Sequence, residues 1–257
     1  MKVNTVILAG APNKGLLKQH SKETHEALIK IDEIPMVEYV LQAVKNAQNT
    51  DNILVVGPES KLREINFHHK VDKLINSGDS MIDNIRRGIE AIPDQDKYIL
   101  LLTADIPLIT GDMIDEYIFS CSQEEEVDFY FPIIEKNICR EKYPEIERTY
   151  VNLDNGIYTG GNIIVARPFV FLDTLDLLKK VIMWRKKPWK LSRLLGFKFI
   201  IKYFLGNLSL LEIEERISQI IGYRGKALKS YHPELGFDVD KPGDLKLIRE
   251  RYIPQLD

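Results

Sequence analysis

The chain has 257 residues, 44% hydrophobic and 28% charged, the balance of a soluble globular protein. Its formal net charge of −3 argues against a surface built for nucleic acid, and its two cysteines, Cys121 and Cys139, give no basis for a disulfide framework or a zinc site. The opening MKVNTVILAGAPNKG holds an apolar run too short for a signal peptide or a membrane span, so the expectation is free thiols in a reducing cytoplasm.

In chain order, Val3 to Ala9 is a β-branched, nearly continuous apolar run ending at Gly10, the pattern of a strand buried on both faces. After Pro35, residues Met36, Val37, Val40, Leu41 and Val44 recur at helical spacing. ILVVG, ending at Gly57, reads as a second buried strand, and SMIDNIRRGIEAI as a second amphipathic helix. Tyr98 to Leu102 is a third strand and GDMIDEYIFSC a helix. Strands alternating with helices point to βαβ units, a parallel sheet and right-handed crossovers. DFYFPII and GIYTGGNIIVARP then read as two strands that add a mixed edge, KALKSY as a last short strand, and KPGDLKLIRERY as a closing helix. The expected fold class is therefore α/β, in one domain over 1–257.

Residues 169–222 read as a helical insertion within that domain. From Leu177 to Leu211 there are nine Lys or Arg and no Asp or Glu. Solvated lysines over a helical cover, a homodimer contact, and a peripheral contact of 184–206 with anionic lipid or a lipid-linked acceptor all fit this bias. Trp184 and Trp189 beside basic residues suit the last of these.

In an open parallel sheet, ligands bind beyond the carboxyl ends of the strands. The first such loop is Leu8-Ala9-Gly10-Ala11-Pro12-Asn13-Lys14-Gly15. Its glycine lets the backbone turn N–H groups towards a phosphate, and Lys14 and Lys18 could neutralise pyrophosphate; an ordinary strand-end turn fits equally. Asp105, directly after an apolar strand, could hold magnesium, or could cap the next helix, although Thr110 and Asp112 are also available as caps. Asp238 and Asp240, at i and i+2 on an extended segment, point the same way, so either could complete a metal site with Asp105. Asp240 could instead cap the helix that begins near Pro242.

VILAG at 6–10, EALIKIDEIPMVEYVLQAV at 26–44, LLLTADIPLI at 100–109, YTGGNIIVARP at 158–168 and DVDKPGDL at 238–245, in this order, resemble the MobA-like nucleotidyltransferases. The resemblance implies a Rossmann-like, mixed but mostly parallel sheet of the nucleotide-diphospho-sugar transferase type. It implies that Leu8, Ala9, Gly10 and Ala11 hold the nucleotide, and that Gly78 and Ser80 touch base and ribose unless Asp79 or Ser80 is only a helix cap. Asp105 matches the family's magnesium aspartate and Asp240 its second carboxylate. Gly160, Gly161 and Asn162 resemble the segment that lines the acceptor pocket; a strand bulge is the other reading. The chain departs from the family in two places. The first loop has no arginine, and the usual lysine falls on Glu26, leaving Lys14, Lys18 or Lys30 to supply the cation.

The expected activity joins a nucleoside triphosphate to a phosphorylated small molecule with release of pyrophosphate, using magnesium. A glycosyltransferase on a similar fold and a nucleotide-binding protein that has lost catalysis are the rivals. The DxD at Asp238-Val239-Asp240 lies near the end of the sequence, and the loop after the third strand has a single Asp105 before Ile106-Pro107, which disfavours the former. Acidic residues gathered in a cleft, which call for a cation, disfavour the latter.

Overall fold

The computed structural model describes residues 1–65, 67–184, 196, 199, 201–202 and 205–252. Strand β1 (Val3–Leu8) is buried along its whole length. A hairpin of β2 (Lys30–Ile31) and β3 (Ile34–Pro35) leads into helix α1 (Met36–Asn46). Next come β4 (Thr50–Gly57), α2 (Glu59–Glu64), β5 (Lys73–Asn76), α3 (Met81–Glu90), β6 (Ile99–Thr103) and α4 (Gly111–Gln123). The second half runs through β7 (Phe129–Glu135), α5 (Lys136–Lys142), β8 (Val151–Leu153), β9 (Gly156–Gly160), β10 (Ile163–Ala166), α6 (Pro168–Asp173) and α7 (Leu175–Trp184). Helix α8 (Leu210–Ile221), β11 (Gly225–Ser230) and α9 (Pro242–Arg251) follow.

One sheet runs β5-β4-β1-β6-β10-β7-β9-β8, with β11 added beside β7. The ladders β5–β4, β4–β1, β1–β6 and β7–β11 are parallel, and those made by β8, β9 and β10 are antiparallel. This is the mixed, mostly parallel sheet with flanking helices expected from the sequence. Alternation along β1 splits the core. Ile7 packs with Val40, Val44 and Ile118 under α1 and α4, while Val6 and Leu8 pack with Ile85, Ile89 and Phe171 under α3 and α6. Gly88 lets α3 approach closely, since a Cβ there would lie 2.6 Å from Val6 Cγ1.

Several elements differ from the sequence reading. GIYTGGNIIVARP is two strands, not one, because the chain breaks register at Gly161 and Asn162. Strand β5, helices α2 and α5 and the β2–β3 hairpin carry too short a pattern to stand out; the hairpin turns on Asp32 and Glu33, at φ 46° and 67°, with no glycine to mark it. Of the expected helical stretch 169–222, α6 and α7 pack on α3 and α8 packs on β11. Most of 185–204, including Trp189, lies outside the described residues, and so does the core of the lipid-contact reading of 184–206. Among the described residues no helix is long and apolar enough to cross a membrane.

Candidate active site

The parallel strands β5, β4, β1 and β6 end on one edge, where the first loop begins. The peptide after β1 is held on both sides: Ala9 N–H donates to Val56 O at 2.8 Å, and Ala104 N–H donates to Leu8 O at 3.1 Å. The chain is freed at Gly10. A Cβ there would lie 2.5 Å from Asn84 Nδ2 and 2.7 Å from Ser77 Cβ, so the β1 loop, the β5 loop and α3 meet at a point only glycine fits. Asn84 is 4% exposed and accepts the Gly78 N–H at 2.7 Å through Oδ1, which turns its amide nitrogen towards Gly10. The sequence reading did not include Asn84; its signal is an amide within the buried face of α3, beside Ile85 and one turn before Gly88. Ser80 caps α3, accepting from Asp83 N–H at 3.2 Å, so the cap reading of Ser80 holds and Asp79 is not the cap.

The loop after Gly10 folds back on itself. Pro12 bridges His25, Asn13 N–H donates to Thr24 O at 2.9 Å, and Glu26 N–H donates to Ala11 O at 3.0 Å. Asn13 is buried and ties the loop shut through Glu23 O, at 3.0 Å. Lys14 and Lys18 are exposed on this loop. Glu26 faces Gly15 from its far side, so the reversed charge lies inside the loop rather than away from it. Lys30 is half exposed on the hairpin and pairs with Glu33 at 3.3 Å, while its carbonyl accepts from Arg249.

Asp105 lies past the end of β6, its Oδ1 accepting the Thr103 hydroxyl. Its carbonyl accepts the Val239 N–H at 2.9 Å, which fixes the segment carrying Asp238 and Asp240 against it. Burial pushes the Asp105 carboxyl up to about 7; the Thr103 hydrogen bond opposes this, and the Asp238 and Asp240 charges add to it. The cap alternatives fall away: Thr110 caps α4, and the N–H of Lys241 at the start of α9 is taken by Asp244 at 2.9 Å rather than by Asp240. Among the described residues no cluster of three or more His, Cys, Asp and Glu stands ready to hold a metal. The donor set fits magnesium, which takes one or two carboxylates and leaves its other positions to water and phosphate oxygens.

Farther along the same edge, beside the carboxyl end of β6, the break between β9 and β10 forms a wall. Gly161 N–H donates to Pro132 O at 2.9 Å, and Asn162 N–H to Leu235 O at 2.6 Å. Asn162 Nδ2 reaches Gly236 O at 3.3 Å, and a Cβ on Gly236 would come within 2.8 Å of Gly160 O. The structure therefore brings Gly160, Gly161 and Asn162 against the segment that carries Asp238 and Asp240. Arg148, absent from the sequence reading, joins them: its Nε donates to Thr159 Oγ1 at 3.4 Å and its Nη1 to Asp238 Oδ1 at 3.3 Å. A lone arginine in a charged loop carries no pattern that would have singled it out. Behind the wall, Glu234 is 2% exposed and accepts the Tyr143 hydroxyl at 2.5 Å.

A family model described as the MobA-like NTP transferase domain matches residues 5–144. The chain is 32% identical over 118 residues to the bifunctional protein GlmU of Acetivibrio thermocellus, covering 44% of this chain and 24% of that protein. It is 32% identical over 101 residues to 2-C-methyl-D-erythritol 4-phosphate cytidylyltransferase of Clostridium perfringens, covering 37% and 43%. It thus spans less than half the length of these two curated relatives. A solved structure described as a hypothetical transferase from Thermus thermophilus is 29% identical and superposes with a TM-score of 0.80, covering 95% of this chain and 100% of that one. With the matched region running from β1 past α5 and holding Gly10, Asn84 and Asp105, the chain belongs to the MobA-like NTP transferase family.

Proposed function

We propose that the protein couples a nucleoside triphosphate to a phosphorylated small-molecule acceptor, with magnesium, and releases pyrophosphate. The observation that carries this is the placement of Asp105, just past the carboxyl end of β6 and tied through the Val239 N–H at 2.9 Å to the segment bearing two further acids. Asp105 with Asp240 would hold the metal, with Asp238 beside them; the ion supplies charge neutralisation and alignment of phosphate oxygens. Backbone groups of Leu8 to Ala11 receive the triphosphate. Asn84 and Gly78 shape the base and ribose side, and Ser80 acts there through its cap. Lys14 and Lys18, exposed on the closed loop, are placed to meet the departing pyrophosphate, and Lys30 can help only by leaving Glu33. Gly160, Gly161 and Asn162 form the acceptor side. The acceptor phosphate is already ionised, so no side chain need remove a proton; rate comes from positioning and charge stabilisation.

We further propose that 1–257 acts as one unit carrying 169–222 as its insertion, works in the cytoplasm, does not bind nucleic acid, and uses the basic stretch for a homodimer or lipid contact. The test of the reaction is a thermal-shift series with ATP, GTP, CTP and UTP, each with and without magnesium. A triphosphate at about 100 times its dissociation constant adds about 2.7 kcal/mol. Stabilisation by one triphosphate, dependent on magnesium and lost in Asp105→Asn, is expected. A flat series across all four sinks the proposal.

A further inference from the structure

The wall farther along the edge from the nucleotide loops holds a cation that the mechanism above does not use. The Arg148 side chain is only 13% exposed. Its two hydrogen bonds, 3.4 Å to Thr159 and 3.3 Å to Asp238, are long. Charge-assisted pairs with arginine usually close to about 2.7–2.9 Å, often in a two-point fork. Among the described residues Nη2 makes no hydrogen bond, and it is not one of the buried side-chain atoms left without a partner, so it stays open on one side. A largely buried guanidinium with an open nitrogen can take an anion's oxygens there. Its unanswered side borders the glycine wall, where a Cβ on Gly236 would lie 3.2 Å from Nη2. That wall is the acceptor side of the site.

We propose that Arg148 binds the acceptor's phosphate group, and that it does so by leaving Asp238, whose carboxylate holds the guanidinium until the acceptor arrives. This rests on the reaction proposed above and names the residue that selects for a phosphorylated acceptor. The guanidinium plane matches a phosphate's oxygens at two points, which a single long contact to a monocarboxylate does not. A dianion therefore displaces Asp238. The arginine-free first loop and Glu26 are consistent with an anion-binding cation placed on this wall instead.

The probe is inorganic phosphate, titrated by calorimetry into the full chain with divalent ions chelated, in wild type, Arg148→Gln, Arg148→Lys and Asp238→Asn. Loss of a charged hydrogen-bond pair should weaken phosphate binding about tenfold or more in Arg148→Gln. Arg148→Lys, which keeps the charge and the packing but not the fork, should fall between. Asp238→Asn should bind phosphate several-fold more tightly, because the competitor for the guanidinium is gone. The triphosphate that stabilises wild type should bind Arg148→Gln within about twofold, since its contacts lie on the other side of the site. Undiminished phosphate binding in both arginine variants, weaker binding in Asp238→Asn, or acetate binding as tightly as phosphate overturns the assignment. If no triphosphate binds but the arginine and aspartate variants move phosphate in opposite directions, the proposed reaction fails while the Arg148 site stands.

Discussion

The two edges of the site are built by different means. On the nucleotide side three side-chain bonds are local: Thr103 reaches Asp105 two residues on, Gly78 reaches Asn84 six residues on, and Asn13 reaches Glu23 ten residues on. On the acceptor side they cross most of the chain: Asn162 to Gly236 spans 74 residues, Arg148 to Asp238 spans 90, and Tyr143 to Glu234 spans 91. Glycines and backbone bonds shape both sides, but the side-chain bonds of the second tie together distant parts of the chain. A phosphate chain common to all nucleotides suits a fixed main-chain cradle, whereas an acceptor that must be selected suits side chains that can be exchanged.

The sharpest break of this comparison is at Asp105, where the two edges meet. Asp105→Ala should cost on the order of 100-fold or more in turnover with magnesium, the scale of losing one key electrostatic group. Unchanged turnover would remove the metal role. The same carboxyl sets a pH dependence. Its value in the fold lies above the usual carboxylate range of about 4, so its contribution to stability is full below about pH 4 and is lost as pH rises through about 7. The metal-free fold should therefore lose stability over that window, and Asp105→Asn should abolish the loss. Magnesium needs the ionised form, so its affinity should climb about tenfold per pH unit up to about 7 and then level. A flat magnesium titration from pH 5 to 8 contradicts the crowded-carboxyl picture.

Smaller effects separate the two edges. Gly10→Ala drives a methyl into Asn84 and Ser77, and should cost about 1–3 kcal/mol of stability while weakening triphosphate binding. Asn162→Ala removes one bond across the acceptor wall, about 1 kcal/mol, and should raise the acceptor KM while leaving triphosphate binding alone. If Asn162→Ala weakens both ligands equally, the edges are not independent. Ser80→Ala loses the α3 cap, about 1 kcal/mol in melting experiments.

This contrast also decides what was legible in the sequence. The strands β1, β4 and β6 and the helices after them were legible because buried parallel strands write themselves as apolar runs ending at Gly or Asp. Gly10 and Asp105 stood just past those ends, and the 238–240 acids stood ahead of the closing helix. Arg148, Thr103 and Asn84 were not legible, because each acts through a partner that pattern alone does not reveal. The irregularity at Gly160 to Asn162 was legible only as one of two readings, a strand bulge; that it ends one strand and starts another follows from Pro132 and Leu235, which receive the freed N–H groups. Glu26 shows the limit from the other side. Its charge reversal was plain in the sequence, but its place facing Gly15 within the closed loop was not.

The bond from Val239 N–H to the Asp105 carbonyl joins the two edges through main-chain atoms alone. Side chains on either side of it can drift without changing the distance between the acids it sets, and only a residue lacking an N–H at 239 would cut it. Under the proposed reaction the backbone carrying these acids would keep its spacing when side chains of the facing wall change. Such a protein can trade one acceptor for another by rewriting Arg148, Thr159 or Asn162 while its phosphate chemistry stays where it is, so acceptor choice is the trait along which descendants of this chain are freest to diverge.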